Sequence, residues 1–137
     1  MKNLILILII IVIPLFSCNT ENKKEEIHKN LLGFKTLFLA ESRGEENELE
    51  KKVKKGNLDI KYINDIIYIS YYEELNACGQ YDGNIELKND TIKLKVNLIS
   101  DEVCTSTSIN KITFLIENPD MKKKKAIIKT VINSFKD

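Results

Sequence analysis

His28 is the sole histidine among 137 residues, and it sits in a charged stretch near the amino end, remote from the partners that a hydrolytic triad or a zinc site would recruit. It is expected at the surface. Paired carboxylates are the one acid–base scheme for which side chains exist, because Glu73-Glu74 or Asp101-Glu102 could supply a general acid and its counterpart for glycoside cleavage. Both pairs flank predicted strand ends, where charged residues are ordinary. The glycines at 33, 44, 56, 79 and 83 are scattered and form no phosphate-cradling loop. Asp82-Gly83-Asn84 lacks the spaced ligand set of a calcium loop. No catalytic residue, metal set or cofactor site is expected. What remains is recognition: Tyr68, Tyr71, Tyr72 and Tyr81 offer rigid area with a polar tip in a chain without tryptophan. Tyr71 and Tyr81 fall on core faces in the registers below, which leaves a binding patch of Tyr72, Glu73, Glu74 and Asn76.

The elements that must carry these residues switch to period two in mid-chain. Leu58, Ile60 and Tyr62 alternate with Asp59 and Lys61, and Asn64-Asp65 reads as a two-residue turn before Ile66 to Tyr72. This hairpin sets Tyr62 against Ile67, Ile60 against Ile69 and Leu58 against Tyr71. The returning strand is apolar on both faces, which places it centrally in its sheet. A second hairpin around Asn89-Asp90 pairs Leu87 with Ile92, Ile85 with Leu94 and Tyr81 with Leu98, with Glu86–Lys93 and Asn84–Lys95 on the polar face. A slip of one residue would turn the apolar set outward, so burial fixes the register. Ile112, Phe114 and Ile116 form one more strand, ended by Asn118-Pro119.

Helices are expected on either side of that sheet. Ile27, Leu31, Phe34 and Phe38 recur at spacings of four, three and four within Lys24 to Ala40, one stripe of a helix, although Gly33 weakens it and Thr36 to Ala40 could also be a short strand. Glu45 to Lys55 places Glu48 before Lys52 and Glu50 before Lys54, with Leu49 and Val53 as anchors and Gly56 as a stop. After Asn118 as cap and Pro119 in a first turn, Ile127, Ile128, Val131, Ile132 and Phe135 fall on a helical stripe. Their β-branching also suits an edge strand. The fold expected is therefore α+β: an antiparallel sheet of about five strands, N-terminal helices and a C-terminal helix, with a small mainly-β sandwich as the alternative.

The leader is different in kind. Lys2 precedes an unbroken apolar run from Leu4 to Ile13, then Pro14 and Leu15-Phe16-Ser17-Cys18, with no charge until Glu21. A cationic start, a short apolar core and a small residue beside the cut are the parts of a secretory signal. The run falls short of the ~20 residues of a membrane-crossing helix. Leu15 to Cys18 resembles the lipobox of bacterial lipoproteins. That resemblance covers residues 1–18 and implies removal of residues 1–17 by the lipoprotein signal peptidase, a diacylglyceryl thioether on Cys18 and acyl chains such as palmitate. Two chains hold a protein stably to a bilayer where one holds it marginally. Asn19 to Glu26 carries no apolar residue and reads as a tether of at most ~27 Å. Asn19 and Thr20 behind the cysteine imply an outer-membrane address of Gram-negative type, with a periplasmic or, through Glu25-Glu26, a surface side.

Processing would leave residues 18–26 as lipidated cysteine and tether and residues 27–137 as one globular domain. Lys2 is the only charge removed, so the remainder balances its basic and acidic side chains, and no net field recruits nucleic acid. The basic cluster Lys122 to Lys125 could touch anionic lipid or form the solvated face of a helix. Export under the lipoprotein reading exposes Cys78 and Cys104 to an oxidising compartment, and one disulfide follows. The functional expectation is a lipid-anchored, non-enzymatic interaction module for an envelope or extracellular protein or glycan. A small inhibitor or immunity-type lipoprotein acting on a toxin or envelope hydrolase is the alternative, and a glycan-directed hydrolase is a third.

Overall fold

The computed structural model describes residues 26–42 and 48–132. The leader, Cys18, most of the tether and Phe135 lie outside the described residues. Among the described residues seven strands and one helix follow one another as β1 (Leu31–Glu41), α1 (Glu48–Lys55), β2 (Asp59–Ile63), β3 (Ile66–Asn76), β4 (Tyr81–Lys88), β5 (Thr91–Leu98), β6 (Thr107–Glu117) and β7 (Lys125–Ile132). They form two sheets, ordered β1-β6-β3-β2 and β4-β5-β7. The α+β expectation is overturned, and the mainly-β alternative describes the molecule.

Both hairpins have the expected pairings. Tyr62 faces Ile67 and Ile60 faces Ile69, while Leu58 lies just before the ladder and packs on the core. Tyr81 faces Leu98, Ile85 faces Leu94 and Leu87 faces Ile92. Asn64 and Asn89 begin the two turns with φ of 52°, a left-handed conformation that asparagine tolerates. β3 lies between β6 and β2, as its two apolar faces require.

The N-terminal helix is instead strand β1, and its helical spacing has a cause. The ladder with β6 slips between Leu31 and Gly33 and again between Phe38 and Ala40. A bulge inserts one residue, so Leu31 and Phe34 share a face although three apart. That mimics a helical stripe. The C-terminal helix is likewise strand β7, parallel to β5, with Ile92 opposite Ala126 and Leu94 opposite Ile128. Asn118 caps no helix: its N–H bonds the Asp65 carbonyl at 2.6 Å and its Nδ2 donates to the Lys122 carbonyl. Only α1 survives of the predicted helices. It stops at Gly56, whose φ is 58° and whose N–H bonds the Val53 carbonyl, and Glu48 pairs with Lys51 at 3.3 Å.

One core joins the sheets. Ile67, Ile69, Tyr71 and Leu75 of β3, Ile112, Phe114 and Ile116 of β6, Ile85 of β4, and Ile92, Leu94 and Val96 of β5 are buried together. Fully burying an isoleucine-sized side chain contributes about 1.5–3 kcal/mol, which makes this layer the main source of stability.

Candidate functional site

The strand directions sort the connections into two ends. At one end lie the start of β1, the β2–β3 and β4–β5 turns and the β6–β7 loop. At the other lie the β3–β4 connection, the β5–β6 connection and the departure of β1 toward α1.

The second end is clamped. Cys78 in the β3–β4 connection is bonded to Cys104 in the β5–β6 connection, with Cα atoms 5.7 Å apart. The bridge closes the open end of the β4–β5 hairpin and ties it to the end of the β3–β6 ladder as well. Asn76 completes the clamp: its Oδ1 accepts the N–H of Cys78 at 3.1 Å and of Cys104 at 3.2 Å, and its Nδ2 donates to the Cys104 carbonyl. Ala77 N–H bonds the Ser106 carbonyl, and Ile99 N–H bonds the Gln80 carbonyl. The Ser100 hydroxyl accepts the Gln80 N–H and donates to the Glu102 carbonyl. The loop 99–106 is therefore held at both feet. It still exposes Ile99 by 60% and Val103 by 39%, apolar groups that nothing in the described chain covers.

The residues of the expected patch do not share one surface. Tyr72, Glu74 and Asn76 face outward from the four-stranded sheet, whereas Glu73 faces inward beside Tyr71 and opposite Asn110. Adjacent strand residues point to opposite sides, so Glu73-Glu74 cannot converge on one substrate. The Tyr72 ring lies under the Lys52 ammonium of α1, 5.2 Å from the ring centre, and the Glu74 carboxylate accepts the Thr107 hydroxyl. Asp101-Glu102 is exposed in the clamped loop. His28 is a half-buried turn residue whose Nδ1 accepts the Asn30 N–H. Among the described residues, no group of three His, Cys, Asp or Glu is placed to hold a metal, and no helix is long and apolar enough to cross a membrane.

Burial, helped by the neighbouring Glu74 carboxylate, raises the Glu73 pKa above its ordinary value. Folding thus favours the protonated form, and stability falls as pH rises from the ordinary glutamate range through the raised pKa. Glu73→Gln is expected to melt higher than wild type at neutral pH, with the difference fading under acid. Thermal melts from pH 4 to 7 check this, and a gap that does not change with pH would contradict it.

Two residues stand out that the sequence pattern did not single out. Asn84, expected on a polar strand face, is 4% exposed: its Oδ1 accepts the N–H of His28 and Ile85, and its Nδ2 donates to the Glu26 carbonyl. It pins the incoming chain to β4. Tyr68 stands on the outer face of the four-stranded sheet, where Ser70, Thr113 and Lys111 act on its phenol and lower its pKa, and Lys61 lies 5.8 Å from its ring centre. An asparagine beside a strand glycine was the available signal for Asn84. Nothing in the sequence sets Tyr68 apart from the other tyrosines.

Comparison with known proteins finds no matching family model, no matching curated protein and no matching solved structure. The class defined by the coordinates is a two-sheet β domain with one bridge between its inter-sheet connections.

Proposed function

We propose that this chain is a lipid-anchored protein of a bacterial cell envelope that acts by binding rather than catalysis, and that the loop 99–106 is its contact surface. The observation that carries the reading is the clamp at Cys78, Cys104 and Asn76 in a loop that exposes Ile99 and Val103. A loop ordered before binding loses little further entropy on association. The bridge itself suits an oxidising compartment, and the leader ending at Cys18 supplies the anchor.

The same clamp favours the inhibitor or immunity-type reading over a general scaffold, because a short loop fixed before binding and carrying exposed apolar side chains suits a cleft. The test is a pull-down from detergent-solubilised membranes with wild type and Ile99→Asp. One enzyme recovered by wild type, bound at least about tenfold more weakly by Ile99→Asp and losing activity in the wild-type complex, supports inhibition. Structural envelope proteins recovered in the same loop-dependent way support the interaction module. Equal recovery by both variants removes the loop from the site.

A further inference from the structure

The clamped end of the sandwich differs in charge from the chain as a whole. Three segments build it around the disulfide: residues 36–42 at the end of β1, 73–82 from β3 into β4, and 97–110 from β5 into β6. They carry the acids Glu41, Glu73, Glu74, Asp82, Asp101 and Glu102 and no lysine or arginine, in a chain with 21 basic and 20 acidic residues. Lys35, Lys95 and Lys111 come only where the strands run back toward the opposite end, and Lys52 of α1 lies over Tyr72 on the outer face. Among the described residues none of these acids is in an ion pair. Glu74 accepts the Thr107 hydroxyl and Asp82 accepts the Gly83 N–H.

Apolar groups stand exposed among the acids. Besides Ile99 and Val103 in the loop, Phe38 is 58% exposed. Phe38 faces Asn110 across the β1–β6 ladder and Asn110 faces Glu73 across the β6–β3 ladder. The three make a row about 10 Å wide on the face that elsewhere carries the core. The Asn110 amide nitrogen donates to the Ser108 carbonyl and hydroxyl, and no donor among the described residues reaches the Glu73 carboxylate. Burial and the Glu74 charge raise the Glu73 pKa, so its charge opposes folding, and a cation arriving from outside would reverse that effect. A side chain kept where it opposes folding fits a site that a partner completes.

We propose that this end engages a protein whose apolar contact surface is ringed by lysine and arginine, with Ile99, Val103 and Phe38 entering the apolar part and Asp101, Glu102 and Glu73 meeting the bases. The inference rests on the reading of the loop 99–106 as the contact surface and adds the chemistry of what it meets. Apolar groups set among like charges need a counterpart that is apolar and cationic together, which a metal ion or a polyamine does not supply. An anionic bilayer repels the acids, and a neutral glycan leaves their charge unmatched. Opposite charge around the contact speeds encounter and rejects partners of the wrong sign.

The test uses two short peptides, one with leucines flanked by lysines and the other with the same leucines flanked by glutamates. Each is titrated into the protein in zwitterionic detergent with its bridge intact, and the amide NMR shifts of residues 99–106 report occupancy. The lysine peptide should bind at least about tenfold more tightly at low salt, and the gap should close as salt screens the charges. Asp101→Asn with Glu102→Gln should weaken the lysine peptide about fivefold, in keeping with two surface charge pairs. Asp65→Asn with Asp90→Asn, in the turns at the opposite end, should leave it unchanged, and Ile99→Ser should weaken both peptides. Equal or tighter binding of the glutamate peptide, still weakened by Ile99→Ser, overturns the cationic partner and leaves the loop as the contact surface. Binding of neither peptide, or binding that Ile99→Ser does not alter, overturns the loop reading and this inference together.

Discussion

Replacing Cys78 and Cys104 with alanine lowers the stability of the domain by about 3.5 kcal/mol, the chain-entropy value for a loop of this size. The bridged cysteines are 26 residues apart, and between them lies the whole β4–β5 hairpin, so the constraint on the unfolded chain is substantial. For a domain of this length the loss corresponds to a fall in Tm on the order of 10–15 °C. The folded state should also loosen locally, because Asn76 keeps its contacts to Cys78 and Cys104 only while those two segments stay side by side. Denaturant melts of wild type and the double variant give the global loss, and hydrogen exchange should show the amides of 99–106 opening first. A loss below about 1 kcal/mol would mean that Asn76 and the strand ladders hold this end without the bridge.

How much of this fold could be read from the sequence depended on whether period two was kept intact. The two hairpins carry uninterrupted alternation and asparagine turns, and their registers follow directly. β1 mimics a helical stripe because the bulge between Leu31 and Gly33 shifts its phase by a residue, so that Leu31 and Phe34 reach the core three residues apart. β7 is ambiguous in sequence for a different reason. Its run of Ala126, Ile127 and Ile128 fits a helical stripe and a strand equally well, and only the tertiary pairing with β5 decides between them. Parallel neighbours are distant in sequence, so no local pattern announces them.

The site was legible in part. Cys78 and Cys104 were paired through the expected export of the chain, and their bridge is present. Asn76 reads in sequence as part of a recognition patch, whereas its amide is spent on the backbone of both cysteines. Tyr72 and Glu73 were grouped by adjacency, which in a strand separates side chains onto opposite faces. Lys52, expected to pair with Glu48 along α1, instead lies over Tyr72 of β3. That contact depends on where the helix docks, which its own sequence does not encode.

Gly83→Ala is expected to destabilise the domain by about 3 kcal/mol or more, the upper range for forcing one carbon into a filled core. A Cβ at Gly83 would stand 2.1 Å from Cδ2 and 2.3 Å from Cγ of Phe34, too close for the ring to remain in place. The ring has little freedom to withdraw, since it meets Phe114 edge-on at a centroid distance of 5.1 Å. This is where edge strand β1 of one sheet crosses edge strand β4 of the other, so a displaced ring would part the sheets along that side. The backbone at Gly83 has no left-handed φ, and the whole cost therefore resides in the contact with the ring. The sign should consequently reverse when the ring is removed. In a Phe34→Ala background, which removes Cγ and Cδ2 together, Gly83→Ala should cost less than about 1 kcal/mol or even stabilise, because alanine restricts the unfolded chain more than glycine does. A coupling of 2 kcal/mol or so from the double-mutant cycle, measured by urea melts, would establish that the ring and the glycine act as one unit. Additivity within about 0.5 kcal/mol would refute it and move the cause of any loss to the backbone.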